Sequence, residues 1–231
     1  VRANRGAAGI DRQTIADVEE YGVDRLLDEL AADLKEGRWR PLPARRVFIP
    51  KPGRPTERRP LSIPAIRDRV VQAATRIVIE PIFEADMLEC SFGFRPRRST
   101  HDALQVLIDE AWRGRRWIAE SDVSNCFEAI PHSGLMSAIE ERISDRNLLK
   151  LLRAMLRAGV MTDGAVTRSN AGTPQGGVLT APTQWVTSVR TSVRGWDGVT
   201  DRDLVVVAAD QDLSHDQAQD SLLAGDVEPV Q

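Results

Sequence analysis

Apolar residues recur at helical spacing in several stretches of the chain. From Val23 to Glu36, Leu26, Leu27, Leu30, Ala31 and Leu34 share one face, and Gly37 stands where a C′ glycine closes a helix. Ile66, Val70, Ala74, Ile77 and Val78 repeat in the same way, with Pro81 placed to end or kink that helix. Ser99 suits an N-cap with Asp102 at N3, and Ala103, Leu104, Leu107, Ile108 and Ala111 make the expected buried stripe of the helix behind it. Two further helices are expected over 132–143 and 145–158, with Gly159 following the second. Strand patterning is sparser. Prolines at 41, 43, 50, 52, 55, 60 and 64 exclude a helix from Arg38 to Pro64, so Arg45–Pro50 is expected as a short strand and the rest of that stretch as loop. Trp117–Val123 has the pattern of a strand running into an acidic residue, and Asp163-Gly164 between Val160 and Val166 suits a two-residue hairpin turn. Beyond Val178 the helical periodicity fades. A boundary near Leu179–Ala181 therefore separates residues 1–180 from a tail, 181–231, expected to be poorly ordered.

Charge sharpens that division. The 231 residues carry a net charge of −3, with 42% hydrophobic residues, enough for a real core. From Arg38 to Arg76 there are eleven lysines and arginines against Glu57 and Asp68 alone, whereas from Trp196 onward nine acids face only Arg202. A basic body thus precedes an acidic tail, and the basic stretch is either a solvated face or a phosphate-binding patch. No apolar run approaches the roughly 20 residues of a membrane span and the chain does not open on a signal pattern, so a soluble, cytoplasmic protein is expected. Cys90 and Cys126 form no Cys-x-x-Cys pair, which leaves two free, buried thiols as the expectation and argues against a disulfide or zinc site.

Four segments carry candidate chemistry. In Trp117-Ile-Ala-Glu-Ser-Asp-Val-Ser-Asn-Cys-Phe127, followed by Ile130-Pro-His132, a strand delivers Asp122 to its end, where the carboxylate and the next carbonyl can offer hard oxygens to Mg²⁺; an ordinary surface aspartate fits the same pattern. Ala171-Gly-Thr-Pro-Gln-Gly-Gly-Val178 lets a backbone approach a ligand closely, or simply turns. Val47-Phe-Ile-Pro-Lys-Pro-Gly53, with Arg58-Arg-Pro-Leu-Ser-Ile-Pro64, places cations on stiff extended backbone, where phosphates can be met with little entropy loss. Ser91-Phe-Gly-Phe-Arg-Pro-Arg-Arg-Ser99 interleaves two aromatics with Arg95, Arg97 and Arg98, a composition suited to RNA bases and backbone, although core packing of Phe92 and Phe94 is the plainer alternative.

Taken in order, these segments resemble the reverse-transcriptase domain of group II intron-encoded proteins. The matching blocks are Asn4-Arg-Gly-Ala-Ala-Gly-Ile-Asp11, I-P-K-x-G, R-P-L-x-I-P, S-x-G-F-R-P, D-x-x-x-x-F and G-T-P-Q-G-G, covering about residues 4 to 179. The resemblance implies an α+β fold of right-hand polymerase type, with helix-rich fingers, a partial palm and a small antiparallel sheet. It implies that Asp122, with the Val123 backbone, binds catalytic Mg²⁺, and that Phe127 stacks under the sugar of an incoming deoxynucleotide. Lys51 and Arg59 would contact the triphosphate, Gln175 and Gly176 would border the nucleotide pocket, and Arg95, Arg97 and Arg98 would lie against template RNA. The implied activity is RNA-directed DNA polymerisation from a DNA primer by two-metal nucleotidyl transfer.

The pattern departs from the family after Leu179. Family members continue with an S-P-L-leading helix and later an aromatic-Ala-Asp-Asp hairpin that supplies the other metal-binding carboxylates, and here that tetrapeptide is missing. The nearest counterpart is Val205-Val-Val-Ala-Ala-Asp-Gln-Asp212, a strand-like run ending in Asp210 and Asp212. A truncated or frameshifted reading frame, inactive as a polymerase, is the resulting expectation. The alternative is a module that binds intron RNA without polymerising.

Overall fold

The computed structural model describes residues 1, 3, 6–51, 54–115, 117–121, 129–168, 170–173 and 204–208, without the side chains of 51, 54, 55, 117–121 and 204–208. The chain forms two compact units, one of Val1–Asp86 with Phe127–Thr187, the other of Met87–Cys126 with Ser188–Gln231.

The first unit begins with two helices, α1 (Ile15–Tyr21) and α2 (Val23–Lys35). Thr14 starts α1 with a reciprocal capping box to Asp17. The end of α2 follows from Gly37, whose φ of 67° few other residues would adopt. Its amide donates to the Leu34 carbonyl at 3.1 Å and the next, Arg38, to that of Asp33 at 2.8 Å, so two terminal carbonyls are satisfied. Leu26 and Leu30 are the buried residues of this helix.

Proline did not prevent sheet formation after Pro50. Strand β1 (Ala44–Lys51) is joined by β2 (Arg54–Ile63), a ten-residue strand where a loop was expected. The four-stranded sheet has the order β2-β1-β4-β5, which places β2 at an edge. An edge strand tolerates residues that cannot donate a ladder hydrogen bond, and Pro60 sits there opposite Phe48. Strands β4 (Val160–Thr162) and β5 (Ala165–Thr167) close the other side through the expected turn, with Asp163 at φ 49° and Gly164 at φ 84°. The sheet is mixed rather than purely antiparallel. Its β1–β4 pair is parallel, and the long helical stretch between the two strands is the kind of crossover that permits the parallel sense.

Helix α3 (Ile66–Glu84) continues past Pro81 instead of ending there. It buries Ile66, Val71, Ile79 and Phe83, while α5 (His132–Glu140) buries Leu135, Met136 and Ile139. Asp145 caps α6 (Arg146–Arg157), its carboxylate accepting from the Asn147 and Leu148 amides at 2.8 Å each. Leu149, Leu152, Met155 and Leu156 of α6 complete the apolar core.

In the second unit, α4 (Thr100–Trp112) begins with the expected Ser99–Asp102 capping box. Its apolar stripe is not buried: Leu104 is 55% exposed and Ile108 49%. Helical spacing decides which side chains share a face; whether another surface covers that face is a separate matter. Cys90, expected to be buried, is also exposed. Strand β3 (Trp117–Ser121) pairs in parallel with β6 (Leu204–Ala208), from Trp117↔Leu204 to Ser121↔Ala208. Among the described residues no helix is long and apolar enough to cross a membrane.

Candidate nucleic-acid and nucleotide interface

The opening block of the chain fastens itself to the first unit through two arginines. Arg45 on β1 donates to the Ala8 carbonyl at 3.1 and 2.7 Å, and Arg69 on α3 donates to the carbonyls of Ala7 and, at 3.0 Å, Pro64. Burial pulls the Arg69 guanidinium below its ordinary pKa, the cost of using a cation as an internal strut. Gly9 is required by contact: a Cβ there would stand 2.5 Å from the Ala65 Cα and 2.6 Å from its amide nitrogen. With Arg40, which donates to the Gly37 and Trp39 carbonyls at 2.7 Å each, at least three of the eleven cations in the basic stretch support the backbone.

Asp68 is the counterpart among the acids. It is 3% exposed, and its Oδ2 accepts from the Leu42 amide at 2.9 Å. Burial raises its carboxyl pKa to about 6, against the lowering effect of that hydrogen bond, and the charge of Asp11 pushes the same way as burial. Its task is structural, since it closes the backbone of the segment between α2 and β1. An isolated acid within a cationic stretch was the sequence signal for it.

On the hairpin, Arg58 and Arg59 are exposed, with Arg59 opposite Ile49 and Arg58 opposite Pro50. Paired residues share a face of the sheet and neighbours alternate, so these two arginines present charge to opposite faces. Lys51 ends β1 beside an irregularity in the register.

The segment Ile130–His132, which follows the D-x-x-x-x-F block in sequence, pairs with Asn170–Gly172, where the G-T-P-Q-G-G block begins. Pro131 and Ala171 form an antiparallel bridge, the Gly172 amide donates to the Ile130 carbonyl at 2.8 Å, and the His132 amide donates to the Asn170 carbonyl at 2.9 Å. The His132 ring adds a contact of 2.7 Å between Nε2 and the Gly172 carbonyl, which fixes Nε2 as the protonated nitrogen. Nearby, Gln72 and Thr173 line a small cavity with Leu42, Met155 and Gly159. Their Oε1 and Oγ1 are buried there without a hydrogen-bond partner. In the sequence His132 is marked only as the end of the Ile130-Pro-His132 motif.

In the second unit, the Ser91–Ser99 block is a loop closed on itself. Arg95 donates to the carbonyls of Leu88 at 2.6 Å and Ser91 at 2.9 Å, and Arg98 donates to that of Glu89 while lying over the Phe92 ring at 5.1 Å. Arg97 and Phe94 are exposed, at φ values of 61° and 55°. Hydrogen bonds from Ser99 hold the Asp102 carboxyl below its usual pKa, so an anion already occupies the start of α4.

Asp122, Val123, Phe127, Gln175 and Gly176 lie outside the described residues, as do Asp210 and Asp212. Among the described residues no three histidines, cysteines, aspartates or glutamates cluster as a metal site.

Comparison with known proteins gives these segments a context. The family model for reverse transcriptase (RNA-dependent DNA polymerase) matches residues 49–212. The chain therefore belongs to the reverse-transcriptase family, and its relatives place it with the group II intron branch. It is 43% identical over 157 residues to protein YkfC of Escherichia coli (strain K12), covering 66% of this chain and 41% of that protein. It is 34% identical over 177 residues to the group II intron-encoded protein LtrA of Lactococcus lactis subsp. cremoris, covering 77% of this chain and 29% of that protein. A 91 kDa protein in the cob intron of Schizosaccharomyces pombe is 36% identical over 154 residues, covering 67% and 19%. The chain thus spans less than half the length of these relatives. The family match also runs past the boundary expected near Leu179 and takes in β6.

Proposed function

We propose that this chain is the template- and nucleotide-gripping part of a group II intron-type reverse transcriptase, acting in the cytoplasm on an RNA template, a DNA primer and deoxynucleoside triphosphates. The observation that supports the reading is the tie between Ile130–His132, which follow the D-x-x-x-x-F block in sequence, and Asn170–Gly172, where the G-T-P-Q-G-G block begins. On this reading Lys51 and Arg59 contact the triphosphate, Phe127 supports the deoxyribose, and Gln175 and Gly176 border the nucleotide. Arg95, Arg97 and Arg98 belong to the template-binding block. The division at residue 180 is part of the same proposal, with fingers and incomplete palm before it and a divergent tail after it.

The Asp122 carboxylate and Val123 carbonyl would hold Mg²⁺, whose preference for hard oxygen ligands they fit, and β3 leads directly into them. Bound Mg²⁺ would lower the pKa of the primer hydroxyl and stabilise charge on the α-phosphate and leaving pyrophosphate. The parallel β3–β6 pairing favours a second source of ligands. Both strands run towards the same sheet edge, and the chain beyond β6 carries Asp210 and Asp212 in place of the adjacent acid pair of the family. With one acid and Gln211 where the family has two acids, the chain alone is expected to bind RNA without extending a primer.

Primer extension on a primed RNA template with Mg²⁺ and deoxynucleotides tests this. The expected result is no product, together with RNA binding that weakens steeply as salt is added. Robust product that Asp122→Asn abolishes would replace the inactive reading with an active one. Its loss in Asp210→Asn as well would assign the carboxylate after β6 to the metal.

A further inference from the structure

The Ser91–Ser99 loop divides its aromatic and cationic residues into an inner and an outer set. Arg95 donates through Nη1 to the carbonyls of Leu88 and Ser91, and Arg98 donates through Nη1 to that of Glu89 while covering Phe92. These contacts hold both guanidinium groups against the loop's own backbone. Phe94 and Arg97 are the remainder. Phe94 is 58% exposed, Arg97 is exposed, and neither has a partner among the described residues. Left-handed backbone is uncommon at a phenylalanine or an arginine, and here it occurs at both outward-facing residues.

We propose that Phe94 and Arg97 form a landing point for one unpaired RNA nucleotide, the ring stacking on its base and the guanidinium meeting its phosphate, while Arg95, Arg98 and Phe92 hold the loop. This rests on the reading of the block as template-binding, and refines it by adding Phe94 and pairing it with Arg97. Three observations favour the assignment. An exposed aromatic surface stacks on any base, so it suits a strand of arbitrary sequence. Arg97 supplies the opposite charge to a phosphate, three residues along the same loop. The start of α4, the other nearby place for an anion, is filled by the Asp102 carboxylate, which accepts from the Ser99 amide at 2.8 Å and from its hydroxyl at 2.7 Å.

The test is fluorescence anisotropy with the full chain, using a labelled single-stranded RNA of about 20 nucleotides and the fully paired duplex of the same sequence. Phe94→Ala is expected to weaken single-strand binding by about 5- to 150-fold, the range of one lost base stack, and to leave duplex binding unchanged. Phe94→Trp should restore it. Arg97→Ala should weaken both probes and reduce the salt slope by about 0.7 for the single strand, as one phosphate contact is lost. Neither alanine variant should change the melting temperature, whereas Arg95→Ala and Arg98→Ala should expose the loop to protease. A parent chain that binds RNA, with Phe94→Ala and Arg97→Ala binding equally well, would overturn this inference alone. A parent that binds neither probe would overturn it together with the template reading.

Discussion

At the scale of single residues, the first unit depends on buried polar groups doing backbone work. Asp68 has a folded pKa of about 6 against an ordinary value of 3.8, so the folded state holds the proton more tightly than the unfolded chain does. Its contribution to stability is therefore full below about pH 4 and is lost as pH rises through about 6. Asp68→Asn keeps an oxygen for the Leu42 amide and removes the buried charge. Urea midpoints should show this variant at least as stable as the parent at about pH 7, with the stability change between about pH 4 and 6 flattened. Gly9 makes the opposite kind of demand. Gly9→Ala sets a methyl against the Ala65 backbone, which cannot swing aside as a side chain can, and should cost about 1–3 kcal/mol in chemical denaturation.

At the scale of elements, the parts best foreseen were those that carry their own boundary signals. Asp145 at the start of α6 is one, and Asp145→Ala should cost about 1 kcal/mol and lower the melting temperature by about 2–4 °C, because α6 supplies four residues to the core. Gly37, Ser99 and Asp163-Gly164 were similarly legible, since each meets a local requirement that few other residues satisfy. β2 was not. Its prolines argue against a strand unless the strand lies at an edge, and edge position is a property of the whole sheet. The buried stripe expected on α4 failed for a related reason: spacing cannot report what lies opposite. In the candidate site, Arg95 and Arg98 were recognised as belonging to a cationic aromatic block, but their backbone partners Leu88, Ser91 and Glu89 could not be inferred from residue type. The His132–Gly172 contact spans 40 positions and left no periodic trace.

At the scale of the whole molecule, the segregation of charge makes a prediction independent of catalysis. If Arg58 and Arg97 each neutralise one RNA phosphate, affinity for single-stranded RNA should fall roughly sevenfold between about 50 and 200 mM salt, and a filter-binding series would measure the slope. A flat response would show that the basic stretch is only a solvated face.

The parallel pairing of β1 with β4 bears on how the polypeptide is made. Residues 44–45 find their partners at 160–161, so a nascent chain releases the hairpin long before the strand that covers its inner edge. At about 5–20 residues per second, that leaves the hairpin waiting roughly 5–20 s on the ribosome. Phe48 and Ile49 are 47% and 39% exposed even after closure, and they flank this open ladder in the interval. An uncovered strand edge is a template for pairing with another chain, so the interval before β4 emerges is when this sheet is most open to aggregation.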